Sequence, residues 1–404
     1  MRKLFELKEN YDGQGKVAPL KEAIAQSVGP GMKIHMNTGA YASAALREIT
    51  RQYWGKDPGF TFISSGVTSP CQISFACSGL VRKIVSTNHS YIYPRSRPIP
   101  LLQDMQEKGK INVEDWSLYS LEQRLMAGAL GVGFMPTRSL MDSSLCKENS
   151  HAFKVISDPF GERADMGVVK ALNPDVSIIH GCVADREGNT ILAPPYFTSI
   201  WGPRASRGGV IVTVERIVSS EFIRRHNSLV KLPGFLVRFV CEVPLGAHPQ
   251  GLASETVGIS GGYGDDYEFM GEFVDTSRNF EDLEQWIKEW ILGCPNHDDY
   301  LQKLGPERIL ALKGKSDPDA WRSQFLEPDS KEEKRAKFNA VEMMIVAAAR
   351  EIEGLVMGKG YHTILAGIGS PGLAAWLAFY MMKKMGRRVS LLTGFGQVGY
   401  APRP

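Results

Sequence analysis

The stretch KIHMNTGAYASAALREITRQYWGKDPGFTFISSG (33–66) contains a complete strand–helix–strand pattern. The apolar residues around Ile34 predict a short strand that ends in a glycine turn. YASAALREITRQYW (41–54) predicts a helix, and GFTFISSG (59–66) predicts a second strand that ends in small polar residues. Strands that alternate with helices are typical of parallel β–α–β units. The stretch therefore predicts an α/β fold with a mostly parallel sheet and flanking helices.

The same alternation continues on both sides of this stretch. Leu20, Ile24 and Val28 share one face of a helix predicted over 18–28, and a further helix and strand are predicted over 70–81 and 83–90. Other strands are predicted over 208–218 and 235–244, with a strand–turn–strand over 176–192 and helices over 121–131, around 286–290 and over 296–305.

Small and polar residues follow three of the predicted strands. Ligands of parallel sheets bind beyond the carboxyl ends of the strands, so these residues are predicted to line a binding rim. The rim residues are Gly39, Ala40, Ser64, Ser65, Gly66, His89 and Ser90, with Thr38 and Asn88 beside them. A structural polar cap at the strand end is the alternative interpretation for His89 and Ser90.

A loop rich in proline and arginine, YPRSRPIP (93–100), follows the third of these strands. Arginine forks suit phosphate oxygens, so Arg95 and Arg97 are candidates for binding the phosphates of a ligand. A solvated loop is the equally weighted alternative.

The composition of the 404-residue chain is that of an ordinary globular protein, with 43% hydrophobic and 23% charged residues. A net charge of +3 argues against nucleic acid as a partner. The N-terminus has no apolar core of signal-peptide length, and no apolar run is long enough to span a membrane. None of the six cysteines has C-x-x-C spacing. We therefore expect a cytoplasmic protein with reduced thiols and no bound metal.

The stretch ILAGIGSPGLAAWL (364–377) places Gly367, Gly369 and Gly372 in a G-x-G-x-x-G array. A dinucleotide-binding fingerprint also needs an acidic residue roughly 20 positions downstream. The next predicted strand, RVSLLTGFG (388–396), carries no carboxylate. A tight strand-to-helix turn is therefore favoured over a nucleotide site.

The composition changes near the C-terminal end of the chain. Residues 313–337 are charged and contain prolines, which predicts a linker between a domain over 1–312 and a segment over 338–404. The order helix, strand, glycine turn, helix, strand in 18–66 recurs in 340–394. The helix that opens the second copy is predicted to place Val341, Met344, Ile345, Ala348, Ile352 and Leu355 on one face.

Five motifs in the first 312 residues together resemble the A subunits of family I CoA-transferases, of the glutaconate CoA-transferase type. The motifs are LEQRLMAGALGVGFMPT (121–137), VADREGNT (183–190), GGVIVTVERIV (208–218), LPGFLVRFVCEVPLGAHP (232–249) and NHDDYLQKLG (296–305). The segment after residue 338 resembles the beginning of the B subunit, whose G-x-G-x-P turn matches Gly367, Gly369 and Pro371.

The resemblance implies a CoA-transferase fold of the NagB/RpiA-like type and an enzyme that acts on acyl-CoA thioesters. It implies CoA transfer between an acyl-CoA and a carboxylate, coenzyme A as a substrate rather than a permanent cofactor, and a separate B subunit besides self-association. In this family, glycine turns bring backbone amides close to the thioester carbonyl, where they stabilise developing negative charge.

The sequence departs from the family at the nucleophile. The resemblance implies a glutamate in the B half that forms an anhydride and then a glutamyl thioester. By spacing, that position is Leu392, which cannot act as a nucleophile. In the A half, Gln123 aligns with the glutamate of the family's A-E-R segment, and Glu122 stands beside it.

Two alternatives to CoA transfer follow from this departure. A ring-opening hydrolase and a decarboxylase of the same fold lack the nucleophilic glutamate, which implies CoA-thioester chemistry without a covalent intermediate. A non-catalytic partner of a B subunit is the other alternative.

Glu122 is the candidate general base, with a solvated surface acid as the alternative. A core histidine is favoured for His180, and a hairpin turn for 185–189. Cys182 has no visible activating base.

Overall fold

The computed structural model describes residues 15–36, 39, 41–92, 97–161, 165–316, 340–366 and 370–393. They belong to two compact units, the first of which ends at Ser316. None of the helices in these ranges is long and apolar enough to cross a membrane.

The first unit contains the larger set of elements. Its strands are β1 (Lys33–Met36), β2 (Phe60–Ile63), β3 (Val81–Ser86), β4 (Ser90–Tyr91), β5 (Arg97–Pro98), β6 (Asn112–Asp115), β7 (Phe134–Thr137), β8 (Phe153–Ile156), β9 (Met166–Lys170), β10 (Val176–Ala184), β11 (Thr190–Ile191), β12 (Val210–Ile217), β13 (Val230–Leu232) and β14 (Val237–Glu242). Its α-helices are α1 (Leu20–Ser27), α2 (Ser43–Tyr53), α3 (Pro70–Cys77), α4 (Pro100–Glu107), α5 (Leu118–Ala129), α6 (Ser144–Glu148), α7 (Phe197–Ala205), α8 (Ser220–Arg225), α9 (Tyr267–Asp275), α10 (Phe280–Ile287), α11 (His297–Leu304) and α12 (Pro306–Gly314). A π-helix over Lys288–Leu292 extends α10.

A mostly parallel sheet forms the centre of this unit. Its strands follow the order β14-β12-β10-β1-β2-β3-β6, and every neighbouring pair in this path is parallel. The hairpin strand β11 and then β13 add to β10 in antiparallel orientation. The predicted α/β fold with a mostly parallel sheet is confirmed.

The strand order reverses between β1 and β10. From β1 the chain proceeds through β2 and β3 to one side, whereas β12 and β14 follow β10 on the other side. Crossover connections that leave in opposite directions open a crevice at the carboxyl ends of the two strands, where α/β proteins bind ligands.

Burial of apolar side chains holds this sheet in place. All nine residues of β10 are buried, as expected for a strand covered on both faces. Phe60 and Phe62 of β2 are fully buried and pack against Phe75 of α3. Each such aromatic side chain contributes about 1.5–3 kcal/mol when it leaves water.

A second, smaller sheet has the antiparallel order β7-β9-β8 and was not predicted. Met135 of β7 and Phe153 of β8 both pair with Val169 of β9. Each strand is four or five residues long, and Pro136 interrupts β7. Short strands with a proline carry a weak pattern in the sequence.

The second unit consists of α13 (Ala340–Lys359), β15 (Thr363–Ala366), α14 (Ser370–Lys384) and β16 (Ser390–Thr393). The two strands pair in parallel, with Ile364 opposite Leu391. The helix–strand–helix–strand order predicted for both copies of the repeat is therefore confirmed. Gly367 and Gly369 lie outside the described residues, as do residues 317–337 of the predicted linker.

The predicted apolar face of α13 is not buried throughout, since Met344 and Leu355 are 52% and 44% exposed. Among the residues of this helix whose burial is described, Ala349 and Val356 are buried, and they pack against Ile364 of β15. The helix carries apolar residues on several sides, so its sequence periodicity does not select one face.

Candidate functional site

The carboxyl ends of β2 and β3 lie side by side, as predicted for the rim. The amide of Val67 donates to the carbonyl of Asn88 at 2.8 Å, and the Thr87 hydroxyl donates to the carbonyl of Ser65. Ser64 is fully buried, and its hydroxyl donates to the carbonyl of Gly66 at 2.8 Å. The structure therefore brings Ser64, Ser65 and Gly66 to the same edge as residues 87–89, with the Ser64 hydroxyl used inside the turn.

The turn after β1 reaches the same edge at the crevice. Gly39 has a φ of +110°, a backbone conformation that favours glycine, and a Cβ there would lie 3.7 Å from the ring of Pro195. Tyr41 Oη lies 3.5 Å from Thr68 Oγ1, which joins this turn to the one after β2. The turns after β1 and β2 and the loop before α7 therefore meet. Ala40 lies outside the described residues.

His89 and Ser90 follow β3 at this edge. His89 Nδ1 lies 3.3 Å from Asp115 Oδ1, and its buried Nε2 has no partner among the described residues. Burial lowers the pKa of His89, whereas the neighbouring Asp115 carboxylate acts to raise it. The Ser90 hydroxyl donates to Asn88 Oδ1 at 3.0 Å.

Of the two predicted phosphate-binding arginines, Arg97 is described and exposed. It belongs to the β4–β5 hairpin, and its guanidinium lies 5.2 Å from the ring centroid of Tyr91. Arg95 lies outside the described residues.

Glu122 is buried, in contrast to the alternative of a solvated surface acid. It lies on α5, which the Ser117 hydroxyl caps, two residues after β6 ends at the same sheet edge. Glu122 is five residues beyond the capping Ser117, which places it about 7.5 Å from the cap along the helix axis. The Glu122 residue is 2% exposed, and its Oε2 has no hydrogen-bond partner among the described residues. Burial raises the pKa of Glu122 to about 8.

The neighbouring arginine does not neutralise Glu122. Arg124 donates to Glu114 Oε1 at 2.8 Å and lies 4.3 Å from the Trp116 ring centroid. Burial acts to raise the pKa of Glu114, but hydrogen bonds from Lys83 and Trp116 and the charge of Arg124 lower it to about 2. Glu114 is therefore a charged structural partner, whereas Glu122 is protonated near neutral pH.

Gln123, the residue aligned with the family's glutamate, is also buried. Its Nε2 donates to the carbonyl of Pro136 at 3.0 Å, and its Oε1 has no partner in the described part of the chain. Two consecutive side chains of α5 thus carry buried oxygen atoms without partners there.

A group of buried polar residues that the sequence did not identify lies on the other side of the crevice. We call the residues Glu215, His180, Tyr263, His248, Asp266 and Tyr300 the anchoring network. Glu215 Oε1 accepts hydrogen bonds from His180 Nε2 at 2.8 Å and from Tyr263 Oη at 3.1 Å. His180 is fully buried, in agreement with a core histidine.

His248 links the remaining members of the anchoring network. Burial lowers the pKa of His248 to about 4, although its hydrogen bond to Asp266 acts in the opposite direction. The neutral ring donates from Nε2 to Asp266 Oδ2 at 3.0 Å, so Nδ1 accepts from the Tyr300 hydroxyl at 2.7 Å. Arg308 Nε also donates to Asp266 Oδ2, at 2.6 Å. The sequence motifs that contain His248 and Tyr300 are therefore in contact.

Two further predictions concern the end of β10 and the turn that follows it. Burial raises the pKa of the Cys182 thiol to about 12, which disfavours a nucleophilic role. Asp185 Oδ1 accepts the amides of Glu187 and Asn189 at 3.1 and 2.9 Å, as expected for a hairpin turn.

Other parts of the first unit offer less chemistry. An open cleft of about 560 Å³ lies at the opposite, amino edge of the sheet, lined by residues that include Lys110, Asn112 and Arg82. Arg82 is paired there with Asp57. Within the described ranges, no group of three or more histidine, cysteine, aspartate or glutamate side chains is arranged to hold a metal ion.

Comparison with known proteins identifies the relatives of this chain. It is 30% identical over 321 residues to the A subunit of glutaconate CoA-transferase from Acidaminococcus fermentans, covering 74% of this chain and 94% of the relative. The crystal structure of glutaconate coenzyme A-transferase from the same organism superposes with a TM-score of 0.64 at 28% identity, over 74% of this chain and 95% of that chain.

A second solved structure, of a variant of the decarboxylase AibA/AibB, superposes with a TM-score of 0.55 at 26% identity, over 68% of this chain and 99% of that chain. Residues 17–243 match the family model described as Coenzyme A transferase. The match covers more than half of the chain and includes every strand of the central sheet, so this protein belongs to the coenzyme A transferase family.

Proposed function

We propose that this chain is the A-type subunit of an enzyme that transfers CoA between an acyl-CoA thioester and a carboxylate. The match of residues 17–243 to the family is the observation that carries the proposal. The site is the crevice rim formed by the turns at Gly39 and at 64–66, with His89 and Ser90 beside it.

The substrate is an acyl-CoA, and coenzyme A is a substrate rather than a permanent cofactor. We assign Arg97 to its phosphates. The resemblance to the family also assigns Arg95 to the phosphates and Gly367 and Gly369 to CoA-thioester binding, and these three residues lie outside the described residues. The burial and exposure of the described residues are compatible with these roles, since Arg97 is exposed beside the rim.

A separate B-type subunit completes the enzyme. In the family, CoA transfer uses a glutamate of the B half, and this chain has Leu392 at the corresponding position. The partner therefore supplies the carboxylate nucleophile, and the complex also self-associates. All six cysteines are unpaired, which supports a cytoplasmic location.

Glu122 is the proton-transferring group of this subunit. Burial brings the pKa of its side chain to about 8, close to neutral pH, and a carboxyl group transfers protons most effectively when its pKa is close to the pH of the reaction. At neutral pH the protonated form donates a hydrogen bond to the thioester oxygen and transfers its proton as negative charge develops there. The resulting carboxylate takes the proton back when that oxygen becomes a carbonyl again.

A second candidate is CoA-thioester hydrolysis or decarboxylation without a covalent intermediate. Two observations favour it: the leucine at position 392 and the structural similarity to the decarboxylase AibA/AibB. Both reactions need a proton-transferring group, and Glu122 fits that requirement as well.

Trapping with borohydride separates the two functions. The purified chain is incubated with acetyl-CoA, acetate and borohydride, alone and with a B-type CoA-transferase subunit that carries the glutamate. For CoA transfer, the mass of this chain stays unchanged and the partner is modified, because borohydride reduces a glutamyl thioester. The B-type partner by itself is the control.

The outcome for the complex decides between the candidates. Hydrolysis of acetyl-CoA without modification of either chain favours the second candidate. Release of carbon dioxide from malonyl-CoA under the same conditions, again without modification, indicates decarboxylation. A modified glutamate in this chain, or rapid transfer by this chain alone, contradicts the requirement for a partner's nucleophile.

A further inference from the structure

The loop over residues 245–248 connects the carboxyl end of β14 to the crevice. Leu245 has a φ of +53°, which a non-glycine residue adopts only when its surroundings hold it there. A Cβ on Gly246 would lie 2.5 Å from His180 Cε1, so the backbone approaches the ring as closely as a glycine permits. This loop therefore has one closely defined conformation.

Side chains of the anchoring network bind the amides of this loop. The amide of Leu245 donates to Glu215 Oε2 at 2.9 Å, and the amide of Gly246 donates to Glu215 Oε1 at 3.4 Å. The amide of Ala247 donates to Tyr263 Oη at 3.0 Å. Glu215 is thus the side chain that holds two consecutive amides.

The carbonyl groups of the same loop bind the first turn of α2. The three hydrogen bonds run from the Ala44 amide to Gly246 at 2.9 Å, from Ser43 Oγ to Ala247 at 3.0 Å, and from Arg47 Nη1 to His248 at 3.0 Å. Every backbone carbonyl from 246 to 248 therefore accepts a hydrogen bond from α2.

The first turn of α2 is close to the proposed substrate. Ser43 lies only four residues after Gly39, where an added Cβ would lie 3.7 Å from the ring of Pro195 at the crevice. Because so few residues separate Ser43 from Gly39, a displacement of the first turn of α2 also displaces Gly39. Fixing Ser43, Ala44 and Arg47 consequently restricts the position of Gly39.

We propose that Glu215 and Ser43 are positioning residues, which act through the 245–248 loop to hold the Gly39 turn in place for the acyl-CoA. This inference rests on the proposed function, because it assigns the Gly39 turn to the substrate site. Glu215 and Ser43 contact the loop and not the reacting atoms, so their loss weakens substrate binding more than it slows the chemical step.

The test uses the full chain and acetyl-CoA as the probe. Glu215→Ala removes both amide contacts, Glu215→Gln retains one acceptor oxygen, and Ser43→Ala removes one hydrogen bond with little change in volume. Tyr53→Phe is the matched control, because Tyr53 lies at the other end of α2 and donates to the carbonyl of Val28 at 2.6 Å.

Hydrogen exchange at residues 41–46 and the Kd for acetyl-CoA are measured for each variant, with the B-type subunit present. In Glu215→Ala and Ser43→Ala, exchange becomes about tenfold faster and the Kd rises about tenfold. A tenfold change in Kd corresponds to about 1.4 kcal/mol, which is in the range expected for the loss of one or two hydrogen bonds. The kcat changes less than about threefold. Glu215→Gln gives an intermediate Kd, and Tyr53→Phe leaves both quantities unchanged.

Each other result overturns a stated part of the inference. Faster exchange with an unchanged Kd overturns the positioning role, and so does unchanged exchange in the folded variants. A wild-type complex that does not bind acetyl-CoA overturns the proposed function, and with it the positioning role. If Glu215→Ala fails to fold, Ser43→Ala and Glu215→Gln decide between these outcomes.

Discussion

The two sides of the crevice differ in how their buried polar atoms are partnered. In the anchoring network, both nitrogens of His180 and His248 and both oxygens of Asp266 take part in hydrogen bonds. On the side of α5, Glu122 Oε2 and Gln123 Oε1 are buried without partners among the residues that the structure describes. A satisfied network stabilises a conformation, whereas a buried unpaired atom costs free energy and persists where function requires it.

Arg47, which packs against the anchoring network without belonging to it, is less completely partnered. Its guanidinium lies 3.8 Å from the Tyr300 ring centroid, but Nε and Nη2 have no partners among the described residues. The contrast between the two sides therefore predicts effects on stability for the anchoring network and effects on the reaction for Glu122.

The largest expected effect is that of Glu122→Gln on turnover. The amide keeps the shape of the side chain but cannot transfer a proton, so kcat should fall by about 10²–10⁴-fold. Steady-state kinetics with acetyl-CoA and the B-type subunit measure this change. Glu284→Gln serves as the control, because Glu284 lies on the partly exposed side of α10. Glu114→Gln is unsuitable for this purpose, because Glu114 is charged and paired in the interior. Full activity of Glu122→Gln would place Glu122 outside the reaction.

The second prediction concerns the pH dependence of unfolding. The folded pKa of Glu122 is about 8, above its ordinary value of 4.5, so the folded state retains a proton that the unfolded state releases. The contribution of Glu122 protonation to the stability of the folded state is fully present below pH 4.5 and is lost as the pH rises through 8. Glu122→Gln cannot titrate at this position, so its free energy of unfolding does not fall in this way. The difference in the free energy of unfolding between Glu122→Gln and the wild type should therefore favour the variant more at about pH 8.5 than at about pH 5. The expected difference is a few kcal/mol, because each pH unit between the two pKa values corresponds to about 1.4 kcal/mol.

Urea unfolding at the two pH values measures the difference. Parallel changes in the wild type and in Glu122→Gln would mean that Glu122 titrates normally in the folded protein.

Asp266→Asn should mainly reduce stability. The substitution removes the charge that Arg308 and His248 bind, and charge-assisted hydrogen bonds are worth about 1.5–3 kcal/mol. Arg308 is partly exposed, which places the expected loss near the lower limit, about 2 kcal/mol. The midpoint of urea unfolding checks this value, and kcat per folded molecule should stay within about threefold of the wild type. A large loss of kcat with normal stability would remove the distinction between the two sides.

The smallest expected effect is that of Tyr300→Phe, which removes one hydrogen bond to His248 Nδ1. The free energy of unfolding should fall by about 1 kcal/mol, because the imidazole nitrogen loses its donor while the ring packing remains. Thermal unfolding measures the change. A stability equal to that of the wild type would indicate that water replaces the lost hydroxyl.

The sequence predicted the sheet and the rim because both depend on local patterns. Alternating strands and helices in 33–66 specify parallel units, and small residues at strand ends mark the edge where Ser64–Gly66 and His89 meet. The roles of these residues in substrate binding remain predictions.

The burial of Glu122 could not be predicted in the same way. Arg124, two positions later, suggests a charged surface, but this arginine pairs with Glu114 of β6. The anchoring network was missed for a similar reason, since the contact between Tyr263 and Glu215 spans 48 positions in the sequence. Pairings of this kind depend on the folded topology and leave no periodic signal.

The 245–248 loop also has a consequence for the kinetics of folding. Its hydrogen bond to Ser43 joins residues 204 positions apart, and contacts of such separation carry a high entropic cost and tend to form late. Interactions absent from the transition state govern the unfolding rate rather than the folding rate. We therefore expect Ser43→Ala to accelerate unfolding and to leave refolding almost unchanged, which would make this loop a determinant of how long the native protein persists.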